Sequence, residues 1–329
     1  MDFKLLIIKF CRLVIYLLLL NFSAVFCQTD VSTICPPPET ISPCTCSKTC
    51  EACEAMVKCT NILNSDQLDE VFRKSTDYTF WTFYIENSTF MYLPSNAIVE
   101  KKVRKLFVRD SVMISLFDRA PSSTNKLIEL ELTNLVLRSG VKWEIFSKLI
   151  NLKELNLTNF EIKRIDQSFI DNFPQGLTGL YFNVTKTKTL GDDAFSKLTE
   201  LSRIYVRNTE ISTLKRSMFA PQSKLLSINF SWNKISTLPD DLFTNMPELK
   251  NIEFSYTNIV VLQESVFRNI LLQIGYLYLK GNEINCNCQM KWLTTVTKPK
   301  YTQVQCAKPK ALEGLSIEDL TPSHFEHCE

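Results

Sequence analysis

Histidine is almost absent from this 329-residue chain: His324 and His327 are the only two, both within the last six residues. General acid and base chemistry through imidazole is thereby excluded from the body of the protein. Glycine is scarce too, seven residues in all, and no G-x-G-x-x-G or phosphate-binding loop occurs. The carboxylate pairs Asp192 with Asp193 and Asp240 with Asp241 fall in turns, where capping a short helical segment is the simpler role. His324-x-x-His327 beside a cysteine is a weak metal signature that a solvated chain end explains. Neither catalysis nor a bound cofactor or metal is expected. Cysteine is missing from the long middle, since all twelve lie before residue 60 or after residue 285.

One apolar run stands out, Leu13–Leu20, preceded by Lys4, Lys9 and Arg12 and followed by the small residues Ala24 and Val25. It is short for a bilayer span and fits a secretory leader, residues 1–27, removed before Gln28, the alternative being an uncleaved anchor that uses the looser apolar stretch from Leu5 to Phe26. No second spanning run follows, and no lipid-anchor tail is recognised. The expected product is secreted and extracellular, without a stable membrane anchor. Loss of the leader removes three of the 37 basic and one of the 35 acidic residues, leaving 34 of each. A balanced charge gives no general attraction to nucleic acid. Ten cysteines remain in two clusters, the pattern of disulfide-locked ends in an oxidising compartment.

Between the clusters one pattern recurs. Leu225, Ile228, Phe230, Asn233, Ile235, Leu238 and Phe243 follow L-x-x-L-x-L-x-x-N-x-L-x-x-L with a trailing phenylalanine, the leucine-rich repeat pattern. The same template starts at Phe80, Val103, Leu127, Leu152, Leu177, Leu201, Leu225, Leu249 and Ile274, at steps of 23 to 25 residues. Alternation in stretches such as Leu152, Leu155, Leu157 predicts one short parallel strand per repeat with one face inward. Phe169, Phe195, Phe219, Phe243 and Phe267 predict a phenylalanine column behind the sheet. The predicted fold is an α/β solenoid: a horseshoe of about nine repeats with a concave parallel sheet and a cap at each end, because a repeat cannot bury its apolar face alone. At the ninth position asparagine appears only at Asn233 and Asn282. Leu135 and Phe160 offer no polar side chain there, so the turn amides must find backbone or water.

The first cysteine cluster, Cys35, Cys44, Cys46, Cys50, Cys53 and Cys59, opens with C-P and contains C-x-C. It resembles the N-terminal cap of extracellular leucine-rich repeat proteins. That resemblance implies Cys35 with Cys46, Cys44 with Cys59, and an extra loop closed by Cys50 and Cys53; a zinc site is the competing use of close thiols. At the other end C-x-C-x-x-x-W-L (Cys286, Cys288, Trp292, Leu293), then Cys306, Pro309, Leu312, Gly314, Leu320 and Cys328, is similar to the C-terminal cap of the Slit, Toll and neuronal receptor group. It implies Cys286 with Cys306 and Cys288 with Cys328. The expected organisation is a leader over 1–27, an N-terminal cap over 28–79, repeats over 80–284 and a C-terminal cap over 285–329. Ile41-x-Pro43-Cys44-x-Cys46 and the LDEVF of Leu68–Phe72 also resemble an arthropod group containing the non-catalytic subunit of Oplophorus-type luciferin 2-monooxygenase. That likeness implies a separate catalytic chain as partner and no activity here.

Binding of a protein or glycan is therefore the expected function. Repeat positions three, five, seven and eight should face the concave surface. There Tyr181, Tyr205, Trp232, Tyr256, Tyr276 and Tyr278 make an unusually aromatic surface, the type that anchors interfaces, although wetted strand positions also carry aromatics. Glu129, Glu131 and Glu154 form an acidic patch, with Arg203 and Arg207 two repeats on. Lys101, Lys102, Arg104, Lys105 and Arg109 form a basic cluster able to hold a sulfated glycan or to serve as a mixed-charge edge. Sequons at Asn87, Asn156, Asn183 and Asn229 are placed by the template on the concave side, where sugars would obstruct it. A partner is therefore expected near Tyr256, Tyr276 and Tyr278 beside the C-terminal cap, or on a lateral edge.

Overall fold

A computed structural model describes residues 31–49 and 53–328. The leader assigned to 1–27 and Cys50 lie outside these residues. Thirteen strands form one sheet. Cys44–Lys48 pairs antiparallel with Ala55–Thr60, which pairs parallel with Thr82–Glu86. Then follow Lys105–Met113, Glu129–Leu137, Glu154–Thr158, Gly179–Asn183, Arg203–Arg207, Ser227–Asn229, Asn251–Glu253, Tyr276–Tyr278 and Tyr301–Gln303, all parallel. Thr89–Phe90 adds a short piece beside Val112 and Met113.

The pairing keeps the period of the sequence. Thr82, Lys105, Glu129, Glu154, Gly179, Arg203, Ser227, Asn251 and Tyr276 are successive Cα partners and are the third residue of all nine repeats. A one-residue slip in any strand would turn its leucines to solvent. In register, Leu130, Leu132, Leu155, Leu157, Ile204 and Val206 are wholly buried. Behind them Phe169, Phe195 and Phe219 follow one another edge-on and then tilted, at centroid separations of 6.3 and 6.1 Å, and Phe243 meets Phe267 at 6.1 Å. Phe219 also meets Phe230 at 6.4 Å, and Phe230 meets Phe254 at 5.9 Å.

The eighth residue of each repeat turns the chain off the sheet. Asn87, Asp110, Asn134, Asn159, Val184, Asn208, Trp232, Tyr256 and Gly281 all have φ between 48° and 75°. The position is therefore not a strand position facing the open sheet, as the template suggests, but a left-handed turn. Asparagine, aspartate and glycine tolerate this conformation; a bulky or β-branched side chain costs about 1–2 kcal/mol there. Amides run along part of the column: Asn134 Nδ2 donates to Asp110 Oδ1 (2.7 Å) and Asn159 Nδ2 to Asn134 Oδ1 (2.8 Å).

The ninth residue then closes the turn. Asn233 Nδ2 donates to Val206 O (2.7 Å) and Phe230 O (3.0 Å), while its Oδ1 accepts from Ile211 N (3.1 Å) and the Thr209 hydroxyl. Asn282 does the same for Phe254 O, Leu279 O and Thr257 N. Where Leu135 and Phe160 stand instead, backbone takes over. Glu129–Leu137 runs on through the turn, pairing Val136 with Val112 and Leu137 with Met113, and Ile162 N donates to Thr185 O at 2.9 Å.

Both ends are stapled. The disulfides are Cys35–Cys46, Cys44–Cys59, Cys286–Cys306 and Cys288–Cys328, and Cys53 is also disulfide-bonded. At the N-terminal end the helix Ser65–Lys74 covers the first repeats with Leu68, Val71 and Phe72. It starts at Asn64, whose Oδ1 accepts from Gln67 N and so caps one free amide of the helix start, while Gln67 Oε1 accepts from Leu63 N just before the cap. At the other end Trp292 is buried, with Nε1 donating to Leu262 O at 3.2 Å.

Asn233→Ala leaves two carbonyls and an amide unpaired in a buried turn. It should lower unfolding free energy by about 3 kcal/mol in urea titrations; a loss below about 0.5 kcal/mol would show that the asparagine does not close the turn.

Candidate recognition face

The outward-pointing strand residues form columns across the open face of the sheet, and most of the charge predicted there is internally spent. Arg109 Nη2 meets Glu131 Oε1 at 2.7 Å and Lys105 Nζ meets Glu129 Oε2 at 2.9 Å. Arg203 reaches across an entire rung: Nη2 donates to Glu154 Oε1 at 2.7 Å and Nε to the Tyr181 hydroxyl at 2.6 Å. Gly179 lies between them, and a Cβ there would collide with the Glu154 carboxylate. Glycine leaves room here for the bridge to pass over it, and a side chain would displace the Glu154 carboxylate. Burial pushes the Tyr181 hydroxyl above its usual range, against the pull of Arg203. The acidic patch and Arg203, separated in the sequence, therefore neutralise one another, and such exposed pairs contribute little to stability. Tyr205 is engaged as well, its hydroxyl 3.2 Å from Ser227 Oγ. Tyr84 stacks on Phe107 at 4.5 Å with the Arg109 guanidinium over both rings.

Toward the C-terminal cap the face changes character. Tyr276 stacks on Tyr301 at 4.6 Å and 15°, and meets Tyr278 edge-on at 6.1 Å. Tyr276 and Tyr301 remain 38% and 43% exposed. The repeat template stops short of Tyr301, yet it lies one further 25-residue step beyond Tyr276, and that spacing could have found it. Between the tyrosines and the middle of the sheet the floor is polar and small. Asn229 Nδ2 donates to Glu253 Oε2 at 2.6 Å and Ser231 Oγ to Glu253 Oε1 at 3.2 Å. Asn251 Oδ1, next to Tyr276 in its column, is buried without a hydrogen-bond partner among the described residues. Trp232 and Tyr256 stack at 4.0 Å and 15°, 50% and 38% exposed, on the left-handed ridge that borders this floor. The candidate residues thus fall into two groups. Tyr181, Tyr205 and Arg203 are tied into the sheet, whereas Trp232, Tyr256, Tyr276 and Arg207 present accessible surface with half-buried Tyr278 between them.

Two expectations are corrected by burial. Lys101 is only 2% exposed, lies 5.3 Å from the Phe80 ring centroid and donates to Ser75 O. Arg104 lies over Trp81 at 4.1 Å, so with Lys105 and Arg109 paired no coherent basic cluster stands at the surface. Among the sequons, Asn87 sits past the strand end in the left-handed column and is exposed, while Asn229 is buried with its Nδ2 held by Glu253. Asn156 and Asn183 occupy the open-face strand positions expected of them.

Elsewhere, Cys288, His327 and Cys328 cluster within metal-ligand distance, but both sulfurs are consumed in one disulfide. His324 Nδ1 accepts from Thr321 N as part of a helix cap. A cleft of about 740 Å³ opens where Leu135 and Phe160 replace the turn asparagine, with Trp143 at its base and Arg138, Lys163 and Glu161 at its rim. Among the described residues, no helix is long and apolar enough to cross a membrane.

The family model described as BspA type leucine rich repeat region matches residues 139–273 in six copies. A chain of the solved octameric complex of latrophilin 3 (Lec, Olf), Unc5D (Ig, Ig2, TSP1) and FLRT2 (LRR) is similar, with a TM-score of 0.58 and 19% sequence identity over 80% of this chain and 88% of that one. No curated protein matches the sequence. At this identity the likeness establishes the fold.

Burial lowers the pKa of Lys101 below its ordinary 10.5, so the unfolded chain holds this proton more tightly than the folded one. Stability should rise with pH in the window between that lowered value and 10.5. Lys101→Met should flatten this rise in denaturant titrations run across the window; an unchanged slope would mean the ammonium is solvated.

Proposed function

Proceeding from a leucine-rich repeat protein closed by disulfide-bonded caps at both ends, we propose that it is a secreted, non-enzymatic recognition module that engages a protein or glycan partner through the C-terminal end of its open sheet face. The observation that carries this reading is the exposed Tyr276–Tyr301 stack with Tyr278 beside it. Aromatic rings fixed by stacking bury large area on contact and lose little rotamer freedom, which is the composition of interface anchors. The paired charges of Glu129, Glu131 and Glu154 leave less unspent chemistry in the middle of the face.

Support of a second kind comes from FLRT2, the leucine-rich repeat component of a complex with latrophilin 3 and Unc5D. Four disulfides and a ninth disulfide-bonded cysteine, Cys53, fit an oxidising compartment, and the leader pattern at 1–27 fits secretion. Sugars at Asn87, Asn156 and Asn183 would stand on the first two thirds of the solenoid and leave the C-terminal tyrosines clear. Asn229, buried and hydrogen-bonded through the nitrogen that a glycan would occupy, should be unmodified in the folded product.

Tyr276→Ala and Tyr278→Ala should each weaken partner binding by about tenfold or more, measured by surface plasmon resonance against the partner recovered from the native fluid. Undiminished affinity in both variants would move the site elsewhere. Co-purification of an oxidative enzyme chain in fixed stoichiometry would instead assign the protein as the non-catalytic subunit that the N-terminal resemblance implies.

A further inference from the structure

The left-handed column carries a departure that the fold does not require. Asn, Asp or Gly fills it at six of the nine repeats and Val184 at a seventh, and Trp232 and Tyr256 stand consecutively where the backbone disfavours bulky side chains. The next residue in the column, Gly281, has the Tyr256 ring directly over it, and any Cβ there would collide with that ring. Three successive repeats are therefore matched: glycine admits the Tyr256 ring, and Tyr256 supports the Trp232 indole at 4.0 Å. Tyr256 is covered on both faces, by Gly281 and by Trp232, which leaves the outer face of the indole looking along the solenoid axis toward the short side chain of Asn208.

We propose that this indole face, with Asn208 and Arg207 beside it, binds a pyranose ring of a neutral N-acetylglucosamine-type glycan carried by the partner. The proposal rests on the recognition reading above and names the ligand of one part of that surface. A ring laid on the indole would rise by roughly one strand spacing, about 4.8 Å, and so would lie level with Asn208. Both Asn208 and Arg207 are exposed, and among the described residues Arg207 forms no ion pair of the kind that occupies Arg109 and Arg203. An aromatic plane for the C–H face of a sugar, an amide for its acetamido group and a guanidinium fork for its hydroxyls are thus gathered at one step of the ridge. One unspent guanidinium suits a neutral sugar better than a sulfated chain, which would draw several cations together.

The indole also supplies its own readout. Of four tryptophans, Trp143 and Trp292 are buried and Trp81 lies under Arg104, so Trp232 is the one whose emission should respond to a ligand. The titration uses the β-1,4-linked N-acetylglucosamine hexamer against Asn183→Gln protein, because a glycan on Asn183, two strands away, could otherwise occupy the shelf. The expected result is a saturable change in tryptophan emission, matched by calorimetry. Trp232→Asn in the same background should weaken binding at least tenfold with an unchanged melting temperature, since asparagine is the commonest residue of this column, at Asn87, Asn134, Asn159 and Asn208. Arg207→Ala should weaken it several-fold. No heat and no saturable change, or equal affinity in the Trp232→Asn protein, would overturn the proposal. Loss of partner capture in Trp232→Asn without any hexamer binding would overturn it too, assigning the shelf to a polypeptide while leaving the recognition reading intact.

Discussion

A single rung of this solenoid can neither bury its leucines nor close its backbone hydrogen bonds, and every other feature follows from that incompleteness. Strands of three to nine residues would not persist alone; each is held because its neighbours repeat it in register. The period of 23 to 25 residues is thus a geometric requirement: one strand, one left-handed turn, one polar residue to satisfy the turn, and a return segment that delivers a phenylalanine to the core. The disulfide caps end the series. Ala55–Thr60 and Tyr301–Gln303 extend the parallel pairing beyond the nine repeats into both caps, so each lid also supplies strand to the sheet it covers.

The same incompleteness governs the open face. Side chains in adjacent rungs stand about 4.8 Å apart, close enough that complementary groups find one another before any partner does. Glu154, Arg203 and Tyr181 illustrate this across three rungs, with Gly179 giving way beneath them. What remains for recognition is what cannot be satisfied along a column: aromatic faces at the C-terminal end and the left-handed ridge beside it.

Much of this was legible in the sequence. The nine starting positions coincide with the register of the strands because hydrophobic period and strand period have the same cause. The role of Asn233 was legible for the same reason, as an amide at a fixed offset from buried positions. The conformation of the eighth residue was not, although the frequency of asparagine there was a signal, because Trp232 and Tyr256 read as ordinary strand aromatics when only alternation is considered. Contacts between side chains two rungs apart, such as Arg203 with Glu154, depend on an intervening glycine whose absence of bulk leaves no mark in a hydrophobic pattern. The burial of Lys101 and Asn229 depends on neighbours more than twenty residues away, and no local window contains them.

The central claim is that rungs succeed one another at constant spacing in one register. Thr133, Thr158 and Lys280 occupy the same repeat position, six and five rungs apart at their widest pairings with Lys280. Nitroxide labels on cysteines introduced at Thr133 with Lys280, and at Thr158 with Lys280, read by double electron–electron resonance, measure that spacing directly. Separations near 29 and 24 Å, differing by about one strand spacing, are predicted; equal distances in the two pairs, or a broad distribution in either, would contradict the stacked register on which the fold and its recognition face depend.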